Sequence, residues 1–399
     1  MLTKVAIGNF RSIERAELKL GRITVLFGAT SAGKSSLFYA LLALRNFVLN
    51  PAQPVDGLFN LGFQNLGGFD ACIFNHQQYS AMHVETEFDL GIAGGLYSLD
   101  LRSDLAALKT RFSDGFEMST TVAVPFNLSK NWSFTREIDG EKFTIHWNGI
   151  GSTVKPEEFS SENEFTAFRL AAYFNGPVES LKRIDICPHR RGFFKPNYTA
   201  VPLSPTPTTE DEVASLIISD HNAAPRISLD TTDIFGRDFR TFTPPGTATT
   251  FFQTMDRGAR VPSWLVNDGF GVNQVVYMLS KIHRPDVQTI LVEEPEVHLH
   301  PTIVRKFARA IARIALEDDK QIIFTTHSEQ FLLSLLACVK EKLITPDDLI
   351  CYHVTRPQRQ SVFELQAVSP EGQISGGLSS FVESELADIR TFLETSEKA

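Results

Sequence analysis

The hydrophobic residues of this chain follow two main patterns. Short, continuously apolar runs occur at Ile23–Phe27 and at residues 289–292 and 321–325, and such runs are typical of strands buried on both faces of a sheet. Residues 82–90 instead alternate strictly between apolar and polar, which predicts a half-buried, antiparallel strand. Residues 301–316 have helical periodicity and begin with proline, so we predict an amphipathic helix between two of the buried strands.

The same patterns extend along the whole chain. Further short strands are predicted at residues 5–7, 97–101, 120–124, 132–134 and 143–147. Helices are predicted at residues 36–44, 162–174, 209–219 and 272–282. We therefore predict an α/β protein with a mixed central sheet, an antiparallel β subdomain and a long middle insertion. The expected domains are residues 1–100, residues 101–260 with strands and a helical lid, and residues 261–399.

Composition narrows the class of protein. The 399 residues are 43% hydrophobic and 21% charged, as in ordinary globular proteins. The net charge of -9 argues against wholesale wrapping of nucleic acid but is compatible with a local basic groove. The four cysteines form no Cys-x-x-Cys pair, which disfavours a zinc site or a disulfide framework. The sequence lacks a signal peptide, and its apolar helices are too short to cross a bilayer, so we expect a cytoplasmic protein without a membrane partner.

The candidate chemistry begins directly after the strand at Ile23–Phe27. Residues 28–35 read Gly-Ala-Thr-Ser-Ala-Gly-Lys-Ser, and a strand, this loop and a helix together are typical of a phosphate-binding P-loop. Lys34 is expected to reach the β- and γ-phosphates of ATP, and the Ser35 hydroxyl to bind Mg²⁺. A glycine-rich turn without a ligand is the alternative, which the flanking elements disfavour. The residues expected to contact the nucleotide here are Gly28, Ala29, Thr30, Ser31, Ala32, Gly33, Lys34, Ser35 and Ser36.

Two carboxylates end the apolar run at residues 289–292. We predict that Glu293 belongs to the Mg²⁺ shell and that Glu294 is the general base that activates the attacking water. A solvated acidic turn at a strand end is the alternative. His327 follows the next apolar run, where it can reach the γ-phosphate, the water or Glu294.

A second glycine-containing segment precedes the helix predicted at residues 272–282. Asn267, Gly269 and Gly271 lie near its expected amino terminus, where exposed amides can bind phosphate. One nucleotide does not need two such cradles in one place. We therefore predict that this segment closes on the nucleotide of a second subunit, and an ordinary helix cap is the alternative.

Together these motifs resemble those of the ABC-type ATPases, in the branch with SMC and OLD-like proteins, and the resemblance to prokaryotic OLD-like AAA ATPases is close. Residues 9–13 are similar to the opening of that family, whose arginine, here Arg11, helps to bind phosphate. Residues 293–301 resemble its acidic segment almost letter for letter, residues 326–329 its His switch and residues 267–274 its signature motif. The resemblance implies an ABC-type P-loop NTPase fold that uses ATP and Mg²⁺.

Some family elements stay open at this stage. The glutamine-loop residue could be Gln64, Gln77 or Gln78. Residues 374–378 imitate a transporter signature but follow the His switch, so we interpret them as a turn. Many OLD relatives carry a TOPRIM nuclease after the ATPase. The sequence after residue 329 has no Asp-x-Asp centre on a predicted strand, so we predict no nuclease activity in this chain.

The resemblance also implies a function. It suggests an ATP-hydrolysing switch that forms a homodimer or a higher even oligomer around ATP and controls a separate effector, a nuclease or toxin, in DNA metabolism or anti-phage defence. DNA is a further candidate partner. The alternatives are a nucleotide-gated scaffold with little hydrolysis and the ATPase subunit of a transporter. Arg190 and Arg191 lie in a basic segment that we interpret as a solvated turn, with a nucleic-acid surface as the alternative.

Overall fold

The computed structural model describes residues 1–77, 80–91, 94–126 and 130–375. The strands, in chain order, are β1 (Leu2–Phe10), β2 (Ile13–Lys19), β3 (Ile23–Phe27), β4 (Met82–Asp89), β5 (Gly94–Leu101), β6 (Leu105–Phe112), β7 (Glu117–Ala123), β8 (Trp132–Ile138), β9 (Glu141–Trp147), β10 (Ser152–Pro156), β11 (Ile184–Cys187), β12 (Arg237–Phe242), β13 (Phe251–Asp256), β14 (Pro262–Trp264), β15 (Thr289–Glu293), β16 (Gln321–Thr326), β17 (Leu349–Thr355) and β18 (Val362–Gln366). The helices are α1 (Lys34–Leu49), α2 (Phe69–Cys72), α3 (Ser161–Lys182), α4 (Glu210–Ser219), α5 (Ala223–Phe235), α6 (Phe270–Ile282), α7 (Pro301–Glu317) and α8 (Glu329–Lys340).

A six-stranded sheet of order β11-β15-β16-β3-β17-β18 carries the candidate chemistry. Its first five strands are parallel, and β18 pairs with β17 in the antiparallel direction. Glu293 pairs with Thr325, and Thr326 pairs with Phe27, so β15, β16 and β3 end at the same edge. In open α/β sheets, ligands bind at the edge formed by the carboxyl ends of the strands.

Two apolar cores cover the faces of this sheet. In β15, Leu291 belongs to one core and its neighbours Ile290 and Val292 to the other, and all three are fully buried. Burial on both faces explains why this strand is continuously apolar. The first core includes α1 and the antiparallel sheet, and the second includes α6, α7 and α8.

An antiparallel sheet of order β2-β1-β4-β5-β6-β7 forms the β subdomain. Its strand β4 buries every second residue from Met82 to Phe88, as its alternating sequence predicts. Two smaller sheets have the orders β10-β9-β8 and β12-β13-β14. The predicted α/β class with a mixed sheet and an antiparallel β subdomain is confirmed. The domain boundaries at residues 100 and 260 stay predictions, and the antiparallel sheet continues across residue 100 to β7.

The start of α8 determines where His327 lies. Ser328 caps this helix, because its hydroxyl accepts a hydrogen bond of 3.3 Å from the backbone N–H of Phe331. His327 is therefore held between the end of β16 and the start of α8, at the same edge as the glycine loop. Within the described residues, no helix combines the length and apolar character that crossing a membrane requires.

Candidate nucleotide-binding site

The glycine loop lies between β3 and α1, as the sequence predicts. Gly28 and Gly33 have φ angles of 145° and 99°, a backbone region that favours glycine, and Ser31 has a φ of 64°. Because α1 begins at Lys34, its first amides and the positive end of its dipole face the loop. The loop geometry is therefore suited to an anion.

Two clefts border this loop. The larger has a volume of about 860 Å³ and the smaller about 720 Å³. The predicted residues that line the larger cleft are Arg11, Thr30, Ser31, Gly33, Lys34, Ser35, Ser36, Glu293 and Glu294. Those that line the smaller cleft are Gly28, Ala29, Thr30, Ser31, Ala32 and His327. The structure thus brings together the residues predicted from the glycine loop, the acidic strand end and the histidine.

Lys34 folds back onto its own loop. Its Nζ atom donates hydrogen bonds of 2.9 Å to the carbonyl oxygens of Gly28 and Ala29. Burial lowers the pKa of this amine, whereas the carboxylates of Glu294 and Glu296 act in the opposite direction. Carbonyl groups are weaker partners for a cation than phosphate oxygens, so a phosphate can replace them as acceptors.

Glu293 is almost completely buried, with 3% of its side chain exposed. The Tyr39 hydroxyl donates a hydrogen bond of 2.9 Å to Oε1, and the backbone N–H of His189 donates one of 3.1 Å to Oε2. Burial opposes ionisation, but hydrogen bonds from His189, Ser35 and Tyr39 outweigh it and lower the pKa of this carboxyl. The sequence assigned no role to Tyr39 or to His189.

Ser35 and Glu293 fit the magnesium site predicted for them. The Ser35 hydroxyl and the Glu293 carboxylate both line the larger cleft, and Ser35 is among the groups that lower the pKa of Glu293. Magnesium prefers oxygen ligands, and it is commonly held by one or two protein oxygens together with substrate phosphates.

Glu294 lines the same cleft. It has a φ of 44°, and its backbone N–H donates a hydrogen bond of 2.8 Å to Thr325, which ties the turn after β15 to β16. Its Oε1 atom lies 3.5 Å from His327 Nδ1. About a third of the Glu294 side chain and half of the His327 side chain are exposed, so both can meet a ligand.

Glu296 holds the backbone next to this pair in place. Its Oε1 atom accepts hydrogen bonds from the Thr326 hydroxyl at 2.7 Å and from the His327 backbone N–H at 3.3 Å. Burial raises the pKa of Glu296. From the sequence, Glu296 has no predicted role beyond its place in the acidic segment.

Arg191 does not form the solvated turn or the nucleic-acid surface that we expected from its basic segment. It is buried, and its guanidinium donates hydrogen bonds to the backbone carbonyls of Glu293 at 2.5 Å and Glu294 at 2.7 Å. The side chain therefore fixes the end of β15 from within the protein. Arg190 is exposed, in agreement with a solvated position.

The structure also separates the glutamine candidates. Gln64 lines the larger cleft, and its Oε1 atom lies 3.2 Å from the Tyr39 hydroxyl that binds Glu293. Gln77 is not among the residues that line this cleft. Gln78 lies outside the described residues, as does most of the segment 374–378 that imitates a transporter signature.

The predicted signature residues lie apart from both clefts, as far as the described residues line them. Asn267 ends a short 3₁₀ turn, and Gly269 precedes α6. Gly269 has a φ of -57°, and a Cβ placed on it would meet no atom within 4 Å. In contrast, a Cβ on Gly271 would lie 2.9 Å from the His298 carbonyl oxygen. The fold of one chain therefore requires glycine at position 271 but not at position 269.

Comparison with known proteins identifies a family and relatives of this chain. Residues 23–334 match the family described as "AAA domain, putative AbiEii toxin, Type IV TA system". The chain is 44% identical over 361 residues to the OLD nuclease of Thermus scotoductus (strain ATCC 700910 / SA-01), which covers 83% of this chain. Only 60% of that relative is covered, so the chain spans about 60% of its length.

Two solved structures are similar in fold. The SmcHead bound to the C-winged helix domain of ScpA has a TM-score of 0.50 and 12% identity, with 92% of this chain and 98% of that chain covered. The SMC head domain from Thermotoga maritima has a TM-score of 0.45 and 12% identity, with 91% and 98% covered. The first likeness supports a P-loop NTPase fold. Because the family match spans residues 23–334, the chain belongs to this family of AAA domains, and it resembles the OLD nuclease in sequence and an SMC head in fold.

Proposed function

We propose that this chain binds and hydrolyses ATP, dimerises around it and acts as a switch for a partner effector. One observation carries the proposal: the P-loop amine of Lys34, the Ser35–Glu293 pair and the Glu294–His327 pair all face clefts on either side of one loop. Enzymes catalyse phosphoryl transfer mainly by positioning the substrate and stabilising its charge, and these groups can do both.

Lys34 and the loop amides bind the phosphate chain. Arg11 adds a second positive charge to the larger cleft, where its guanidinium lies 5.1 Å from the centre of the Tyr39 ring. Ser35 and Glu293 would hold Mg²⁺, which supplies charge neutralisation for the β- and γ-phosphates. Loop residues from Gly28 to Ser36 wrap the phosphates with their backbone amides.

Glu294 acts as the general base. Its carboxylate accepts a proton from water, whose oxygen bonds to the γ-phosphorus while the bond to ADP breaks. His327, 3.5 Å from Glu294, senses the γ-phosphate and orients this carboxylate. The contact favours hydrolysis over the alternative of a nucleotide-gated scaffold that hydrolyses little.

A second copy of the chain completes the site through Asn267, Gly269 and Gly271. The space around Gly269 supports this assignment, because the fold of one chain leaves that glycine without a packing role. The amino terminus of α6 can then bind the partner's γ-phosphate. Loss of that phosphate removes the shared contact, so the dimer loosens after hydrolysis.

The effector is proposed from the relatives. One relative is named a nuclease, and the family description names a toxin. We propose that this ATPase controls a nuclease or toxin activity, either in a separate protein or in a further part of a longer chain, in DNA metabolism or anti-phage defence. DNA is the second candidate partner. An ATPase subunit of a transporter is the less favoured alternative, because the middle insertion is long.

Phosphate release tests the enzymatic part of this proposal. Wild-type protein is expected to release phosphate from ATP only with Mg²⁺, and Glu294→Gln is expected to bind ATP without turnover. Equal turnover by both proteins would show that Glu294 is not the general base. A pull-down from native cells then tests the partner: a co-purifying nuclease or toxin supports the switch, and a membrane permease would support the transporter instead.

A further inference from the structure

The hairpin formed by β17 and β18 contacts the glycine loop at both of its ends. β17 is the parallel neighbour of β3, and the Val354 carbonyl lies so close that a Cβ on Gly28 would overlap it. At the other end, the Ser361 hydroxyl donates a hydrogen bond of 2.7 Å to the Ala32 carbonyl, and a Cβ on Gly33 would overlap this hydroxyl. Close contact with the hairpin therefore requires glycine at positions 28 and 33, in addition to any requirement from phosphate binding. These contacts fix the position of the hairpin relative to the loop.

This hairpin brings two arginines to the clefts. Arg356 lines both clefts, and Arg359 lines the larger one beside Arg11 and Lys34. Both are exposed. Gln358 and Arg359 have φ angles of 48° and 73°, a left-handed conformation that costs free energy in residues other than glycine. The turn between the strands is thus held in a strained form that presents Arg359 to the cleft.

The partners of Arg356 indicate what it binds. Its Nη1 atom donates a hydrogen bond of 3.2 Å to the Ser31 carbonyl, and its Nε atom one of 3.2 Å to the Arg359 carbonyl. Lys34 is bound in the same way, to the carbonyls of Gly28 and Ala29. Phosphate oxygens are stronger acceptors for a cation than neutral carbonyls, so a phosphate chain can replace the carbonyls as the hydrogen-bond partner of both side chains.

We propose that Arg356 and Arg359 bind the phosphate chain of the nucleotide and supply positive charge in addition to that of Lys34. The inference rests on the proposed nucleotide function and extends it to residues outside the motifs that resemble the family. A guanidinium suits this role because its planar set of donors matches phosphate oxygens.

Calorimetric titration of the full chain with two probes in the presence of Mg²⁺, ATP and inorganic triphosphate, tests the assignment. Arg356→Gln retains a side-chain donor for the Ser31 carbonyl but removes the charge, and Arg359→Gln removes the second charge. Each variant is expected to raise the Kd of both probes about tenfold, the scale of one charge-assisted contact. The matched control is Arg305→Gln, an exposed arginine on α7 paired with Glu341, which is expected to leave both Kd values unchanged.

The outcomes separate this inference from the proposed function. Unchanged Kd values in both hairpin variants, with ATP binding abolished by Lys34→Ala, would overturn the inference and leave the proposed function intact. A higher Kd for ATP alone would assign the arginines to the base or ribose and also overturn it. If Lys34→Ala instead binds ATP with the affinity of the wild type, the proposed function is wrong. If either Gln variant unfolds at a lower temperature, Arg356→Lys and Arg359→Lys are expected to retain binding within about threefold through their charge, and a loss like that of the Gln variants would contradict the inference.

Discussion

The Tyr39 hydroxyl donates a hydrogen bond of 2.9 Å to the carboxylate of Glu293, and this contact joins the helix after the glycine loop to the end of the acidic strand. The two residues are 254 positions apart in the chain. The contact fixes one oxygen of Glu293 while leaving the carboxylate ionised, as a magnesium ligand requires.

Tyr39→Phe is therefore expected to weaken the use of Mg²⁺ without removing nucleotide binding. Partners that orient a metal ligand typically change metal affinity by about 10–100-fold, so the Mg²⁺ concentration for half-maximal phosphate release should rise about tenfold. A magnesium titration at saturating ATP measures it. An unchanged midpoint would show that Tyr39 does not support a metal ligand.

Lys34→Ala is expected to lower ATP affinity by more than about a hundredfold, because it removes the charge that pairs with the β- and γ-phosphates. Calorimetry with ATP measures the effect. Lys306→Ala, at an exposed position of α7, is the matched control and should bind ATP like the wild type. ATP affinity retained in Lys34→Ala would refute the assignment of the P-loop.

Gly269→Leu separates a shared site from an ordinary helix cap. Gly269 is exposed and a Cβ placed there meets no atom within 4 Å, so the variant should fold and bind ATP, but it should lose ATP-driven association. Turnover should fall by about a hundredfold or more, the scale of losing a contact made at the transition state. Sedimentation and phosphate release measure both.

Gly151→Leu is the matched control for this change. Gly151 has no left-handed φ, and its nearest neighbour is 3.9 Å from a Cβ placed there, so the same bulk is added in the turn between β9 and β10. This control should associate and turn over ATP normally. If Gly269→Leu does so as well, the glycine only precedes a helix and the composite site is wrong.

The ion pair of His83 and Asp100 predicts a pH dependence of stability in the antiparallel sheet. The Asp100 carboxylate accepts a hydrogen bond of 2.8 Å from His83 Nδ1, and this contact raises the pKa of His83 above its ordinary 6.5, although burial opposes the shift. The protonated pair thus stabilises the fold fully below pH 6.5, and this contribution is lost as the pH rises through the raised pKa. Both side chains are more than a third exposed, so the contribution is at most about 1 kcal/mol.

His83→Gln should therefore lower the free energy of unfolding at pH 5.5 and leave it nearly unchanged at pH 9. Urea unfolding of the wild type and the variant at both pH values measures the difference. Asp100→Asn should reproduce the effect, since it removes the other partner. A difference that is equal at the two pH values would contradict the coupling.

The sequence predicted several elements that are buried on both faces or on alternate residues. The apolar runs of β3, β15 and β16 and the alternation of β4 follow directly from burial, so their patterns are strong. β2 was missed because it is a charged edge strand that buries only two residues. β6 was missed because its Leu-Ala-Ala-Leu segment has no strand preference, and pairing with β5 and β7 decides its conformation.

The site was predictable where a motif fixes its residues on one local element. The glycine loop, the acidic strand end and His327 each follow a strand, and the order of parallel strands then brings them together. Arg191 was misjudged because a basic segment cannot reveal that one of its arginines turns inward to bind carbonyls. Tyr39 and the hairpin arginines were missed because only tertiary contacts connect them to the loop.

We propose that ATP, and not ADP, holds two copies of this chain together. Sedimentation of Glu294→Gln with Mg²⁺ tests it most directly, because this variant is expected to bind ATP without consuming it. We expect a dimer, or an even multiple of one, with ATP and a loosened, smaller species with ADP. The same mass with ATP, with ADP and without nucleotide would contradict it.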